Sequence, residues 1–170
     1  MATDFEALLE RVQRLEDLEA VRTTWLNYCN RLDAFDFEGL GDVFALDATL
    51  EVGGLSPALD GHYESRRTIV EDFYRKTDVA PSTNPAGLMT GHLSTNMQIE
   101  LDGNGATTLA YFFEIVDNNL ALIGTYQHRM RREADRWRIA FLRISIRYRG
   151  RLEVSKTSGQ SLTEILARPV

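Results

Sequence analysis

The chain has 170 residues, 44% apolar and 26% charged, which suits one domain with a core large enough to hold a cavity and excludes a disordered chain. A formal charge of -6 gives no basis for nucleic-acid binding, and no apolar run approaches the ~18 residues of a membrane span. The acidic stretch Met1 to Glu10 does not read as a secretory signal, so a cytoplasmic location is expected, and a lone Cys29 excludes both an intrachain disulfide and a thiolate metal cluster.

Apolar residues at Phe5, Leu8, Val12 and Leu15, then Leu18, Val21, Trp25, Tyr28 and Leu32, advance by threes and fours. This spacing predicts one long helix over 5–33, or two joined near Asp17. Asp36 is placed to cap a short helix carrying Leu40, Val43 and Phe44, and 47–52 reads as a first strand. Gly53, Gly54, Pro57, Asp60 and Gly61 mark a loop, after which Ser65 caps a helical pattern of Ile69, Val70, Phe73 and Tyr74. The next loop holds Pro81, Asn84, Pro85 and Gly87, and its length suggests a lid or rim.

From His92 the period becomes two, with Leu93, Met97, Ile99 and Leu101 on one face and His92, Ser94, Asn96, Gln98 and Glu100 on the other. Asp102-Gly103-Asn104-Gly105 is a reversal signal, and Asp117-Asn118-Asn119 and 133–136 mark further turns between strands at 107–116, 122–132 and 137–149. Helices, a strand, a helix and a four-stranded meander, with no βαβ repeat, predict an α+β fold with a curved antiparallel sheet and the N-terminal helix across its concave side. The domain is expected over 1–152, with a tail at 153–170 that forms a short helix around Leu162, Ile165 and Leu166.

The segment Tyr28-Cys29-Asn30-Arg31-Leu32-Asp33, the strand start Gly91-His92-Leu93-Ser94-Thr95-Asn96, Tyr126 with Arg129, and Trp137-Arg138-Ile139 together resemble the SnoaL-like family. That family lies within the nuclear transport factor 2-like superfamily, and the resemblance spans about 10–150. It implies a cone-shaped α+β barrel. The pattern looks nearest to scytalone dehydratase and bile acid 7α-dehydratase, in which a helix-borne Tyr and Asp work with a strand-borne His on a hydroxylated carbonyl compound. Tyr28, Asp33 and His92 fall on those positions, Arg147 matches a pocket arginine of the bile acid enzyme, and His128 is the candidate for the second histidine of scytalone dehydratase.

The implied activity is a cofactor-independent lyase, a dehydratase acting on a hydroxylated cyclic, polyketide or steroid-like carbonyl compound. Removing water from such a compound needs a base, carbonyl polarisation and an acid. His92 suits the base, Asp33 the group that fixes its tautomer, and Tyr28 the group that holds the carbonyl oxygen. Five residues turn a helix by about 500°, so Asp33 can join Tyr28 only from the helix end or the pocket edge.

Trp25, Asn96, Tyr126, His128 and Arg147 are the expected substrate-binding residues in a hydrophobic pocket for an aromatic ligand. On residue pattern alone, Tyr28 reads equally as core, Asp33 as a solvated terminal acid, and the strand arginines as a solvated ladder. The three histidines have no ligand spacing, so no metal and no cofactor are expected. An isomerase or polyketide cyclase would use the same groups; a non-catalytic binder or a small dioxygenase-type subunit would not. The uncovered row Leu93, Met97, Ile99 and Leu101 predicts a homo-oligomer, dimer or trimer.

Overall fold

The computed structural model describes residues 4–77, 90–116 and 120–151. The rim loop at Pro81 to Gly87, the turn at 117–119 and the tail helix lie outside them. Helix α1, Asp4–Asp33, is unbroken at Asp17 and buries Val21, Thr24, Trp25, Tyr28, Cys29 and Leu32 along one stripe. At ~1.5 Å per residue it is about 45 Å long, more than the core can cover. Its first half therefore leaves Phe5, Leu8, Leu9, Val12 and Leu15 exposed.

The helix stops because Phe35 turns left-handed at φ 54 and Asp36 caps the next helix, α2, Phe37–Val43, its carboxylate accepting the Gly39 N–H at 2.9 Å. Strand β1, Phe44–Gly53, follows directly. A short strand β2, Gly61–Glu64, pairs antiparallel with it where the sequence reads as loop. The connection is held by Asp60, whose carboxylate accepts the N–H groups of Gly54, Leu55 and Ser56 at 2.8–3.0 Å. The helical segment 66–77, α3, is capped by Ser65, as expected, and widens to a π-helix over Ile69–Tyr74, where Ile69, Val70, Phe73 and Tyr74 are all buried.

Strands β3, Thr90–Asp102, β4, Gly105–Val116, β5, Leu120–Glu133, and β6, Arg136–Arg151, form the meander. The order across the open sheet is β2-β1-β6-β5-β4-β3. The fold is α+β with a curved sheet, as expected, but the sheet is mixed, because β1 lies parallel to β6. The link between these two is the rest of the domain and not a βαβ crossover, so no local pattern announces it. Helix α1 packs on the inner face: Trp25 lies 4.9 Å from the ring of Tyr126, and the Thr24 hydroxyl donates to the Trp137 carbonyl at 3.1 Å.

A β-bulge changes the face assignment of β3. Its pairing with β4 shifts between Thr95 and Gln98, and Asn96 sits left-handed at φ 54. The extra residue reverses the alternation. His92 and Ser94 before it, and Met97, Ile99 and Leu101 after it, all turn toward the core, while Leu93 stays exposed. The outer row on which self-association was expected is thus dissolved; the row that does cross β3 to β6 is Leu93, Phe113, Ile123 and Tyr148.

Candidate functional site

Asp33 is the last residue of α1, the position the helix geometry requires if it is to reach the same site as Tyr28. From there its carboxylate crosses to the start of β3. It accepts the His92 backbone N–H at 3.1 and 3.2 Å, one contact for each oxygen, and meets His92 Nδ1 at 2.6 Å. Burial raises the cost of ionising Asp33, but the ring hydrogen bond, the imidazole charge and the backbone N–H of His92 outweigh it and hold the carboxyl below its ordinary range. An ionised carboxylate can only accept, so Nδ1 carries the proton, and in the neutral ring the lone pair is on Nε2.

Nε2 points toward Glu114, whose Oε1 lies 3.7 Å away. The three side chains are 31% exposed at Asp33, 11% at His92 and 17% at Glu114, so the group is screened but reaches the surface at Asp33. Burial pushes the Glu114 carboxyl above its ordinary value, and nearby Asp33 adds to this while His92 opposes it. Glu114 was not among the expected site residues. Its only sequence signal is that it is the one charged residue of this strand, on the inward phase shared with Ala106, Thr108, Ala110 and Phe112.

Tyr28 is fully buried. Its ring stacks on Trp25 at 4.7 Å and meets His92 edge-on at 6.4 Å, while its hydroxyl shares a 2.7 Å hydrogen bond with Tyr74. Burial, then the neighbouring Tyr74 and Tyr126, push its pKa well above the ordinary value, so it stays a neutral phenol. Tyr74 is a second partner missed in the sequence, where it reads as plain helical core. Cys29, one residue further along α1, is a silent thiol: burial and then Asp33 push it up to about 12.

Trp25, Tyr126 and His128 all lie on the inner side. Trp25 donates its indole N–H to Ser94 Oγ at 3.2 Å, and Tyr126 stacks on Phe112 at 4.4 Å. His128, buried, lies 4.3 Å from the Trp25 ring and shares a 2.5 Å hydrogen bond between Nδ1 and Thr108 Oγ1. Its Nε2 has no hydrogen-bond partner among the described residues, and burial lowers its pKa to about 3.

Asn96 and Arg147 do not join this group. Asn96 is exposed on the bulge. Arg147 falls in a second irregularity, where Ile123 pairs with Tyr148 and Gly124 with Ile146, and it lies exposed on the outer face over the ring of Tyr111 at 5.9 Å. Asp33 and Glu114 approach opposite edges of the imidazole, so these donors do not enclose one point, and no group of three metal-binding side chains occurs among the described residues. A groove of about 630 Å³ beside α1 and α2, lined by Glu16, Glu19, Asn27, Asp42 and Trp137 among others, touches none of the expected site residues.

Residues 13–143 match the family model described as a SnoaL-like domain. No curated protein matches the chain significantly. Among solved structures, an NTF2-like protein with a cystatin-like fold from Novosphingobium aromaticivorans is 18% identical over 99% of each chain, with a TM-score of 0.65. A hexachlorocyclohexane dehydrochlorinase from Novosphingobium barchaimii is 15% identical over 84% of this chain and 94% of its own, with a TM-score of 0.64. A candidate scytalone dehydratase from Novosphingobium aromaticivorans is 17% identical over 83% and 91%, with a TM-score of 0.60. At these identities the likeness is one of fold.

Proposed function

Because this chain belongs to the SnoaL-like domain family, we propose that it is a cofactor-independent lyase that removes water from a hydroxylated cyclic, polyketide or steroid-like carbonyl compound. The observation that carries this reading is the Asp33–His92 pair at 2.6 Å, with the carboxylate fixing Nδ1–H and leaving Nε2 as the base. Asp33 then stabilises the imidazolium that forms when the α-proton is taken. Two of the structures of similar fold are described as a dehydrochlorinase and a dehydratase, both eliminating enzymes, which supports a β-elimination.

Tyr28 acts here through its ring, against which His92 packs. Its hydroxyl can polarise the substrate carbonyl as well, accepting from Tyr74 while donating its own proton to the carbonyl oxygen. Trp25, Tyr126 and His128 form a buried ring layer behind the pair, and self-association would use the outer row through Ile123 and Tyr148. An isomerase or cyclase would use the same base. A specific observation also favours a non-catalytic binder or a small dioxygenase-type subunit: ring packing fills the interior around Tyr28 and Tyr126, which are 0% and 2% exposed.

The deciding experiment follows water loss from a panel of cyclic β-hydroxy ketones. His92→Ala is expected to lower turnover by at least about a hundredfold, the usual scale for removing a general base. Ligand binding without turnover by the wild type would establish the binder instead, and equal turnover by the variant would remove His92 as the base.

A further inference from the structure

Resting on the reading of His92 as base, we propose that Glu114 is a second catalytic residue, the acid that protonates the departing hydroxide. One imidazole has two nitrogen-bearing edges, and a carboxyl group faces each. The Nδ1 edge is committed to Asp33 by a hydrogen bond of 2.6 Å, and the same carboxylate also accepts the backbone N–H. At the Nε2 edge Glu114 Oε1 stands at 3.7 Å, beyond hydrogen-bonding distance yet close enough that both groups address the same small volume.

The two carboxyls are unequal by construction. Asp33 has N–H donors and the greater exposure, so it takes the negative charge; Glu114 faces Asp33, His92 and the thiol of Cys29 from a strand whose nearest inward neighbour, Phe112, is apolar and buried. Two acids flanking one imidazole do not both ionise readily, and ionisation is the costlier for the poorly solvated one. In the proposed resting state the site holds a carboxylate at Asp33, a neutral imidazole with its lone pair on Nε2, and a carboxylic acid at Glu114.

The elimination then balances without a further reagent. His92 Nε2 takes the α-proton, and the C–H electron pair passes through the enolate into the new double bond. The C–O bond breaks with its pair on oxygen, and the Glu114 proton converts the leaving hydroxide to water. This leaves an imidazolium beside a carboxylate, and transfer of the Nε2 proton to Glu114 restores the starting state. Because base and acid stand on one side of the substrate, the elimination is syn.

Acid catalysis is needed for a poor leaving group and dispensable for a good one, which gives the test its arms. Wild type, Glu114→Gln and His92→Ala are compared on a β-hydroxy ketone and its β-chloro counterpart, and on exchange of the α-hydrogen in D2O. Glu114→Gln is expected to lose at least about a hundredfold on the hydroxy compound and less than about tenfold on the chloro compound, while still catalysing α-exchange. His92→Ala is expected to lose all three activities. Equal losses of Glu114→Gln on both substrates, or no loss on either, would overturn the role of Glu114 while leaving His92 in place. A wild type inert toward both substrates and exchange would overturn the reading of His92 and this proposal with it.

Discussion

Gly91 makes room for the Asp33 carboxylate. A Cβ at this position would lie 2.3 Å from Asp33 Oδ2 and 3.0 Å from its Cγ, closer than non-bonded atoms approach. The glycine is needed for space and not for backbone freedom, since its φ is not in the left-handed region. Gly91→Ala should therefore displace the carboxylate from His92 while leaving the strand pairing intact. Under the proposed function the expected result is a drop in kcat of at least about tenfold, because an imidazole held less firmly spends less time in the reactive tautomer and pose. Denaturant unfolding should show a loss within about 2 kcal/mol, since the site lies at the start of β3 and its surroundings can give. Unchanged kinetics in a folded variant would mean that the carboxylate finds another route to the ring, and that Gly91 is only a strand residue.

At the scale of elements, the bulge of β3 decides which residues reach the site. A sequence read with period two assumes that no residue is inserted, so it sends Met97, Ile99 and Leu101 away from His92 and keeps Asn96 beside it. The left-handed Asn96 reverses both assignments. Asparagine tolerates this conformation better than most residues, and a β-branched side chain does not. Asn96→Val is expected to lower stability by about 1–2 kcal/mol in urea denaturation, and Asn96→Gly to leave it unchanged or raise it by less than about 1 kcal/mol. Equal stability of the two variants would show that the bulge is not set by this residue.

Helix α1 and its end were readable, because the stripe from Val21 to Leu32 and the Asp36 cap are local signals. The Asp33–His92 pair was suggested by residue type and by family pattern. Glu114 was hidden because a single acid on a strand has no spacing to betray it, and what brings it beside His92 is the pairing of β3 with β4. The parallel join of β1 to β6 was hidden for a related reason: its partners are about ninety residues apart, as Leu50 and Leu142 show, and no short-range pattern encodes them.

Across the whole molecule, the interior encloses a histidine whose burial disfavours its charged form. His128 lies behind Trp25, with its Nδ1 engaged by Thr108 and its Nε2 facing no hydrogen-bond partner among the described residues. Burial lowers its pKa from the ordinary 6.5 to about 3. The sign follows from where the proton binds. Between these two values the unfolded chain takes up a proton that the folded chain refuses, so acid favours unfolding. The stability contributed by the neutral ring is full above pH 6.5 and declines as the pH falls toward 3, by at most about 1.4 kcal/mol per pH unit for one proton. Carboxylates also titrate at the lower end of this range, so the effect must be isolated by comparison. Wild type and His128→Leu should differ in the slope of unfolding free energy against pH between 6.5 and about 4, with the leucine variant flatter, whatever the substitution does to stability at neutral pH. Parallel slopes would mean that His128 takes up its proton in the folded state, and that the layer behind Trp25 admits water or a counter-charge when acidified.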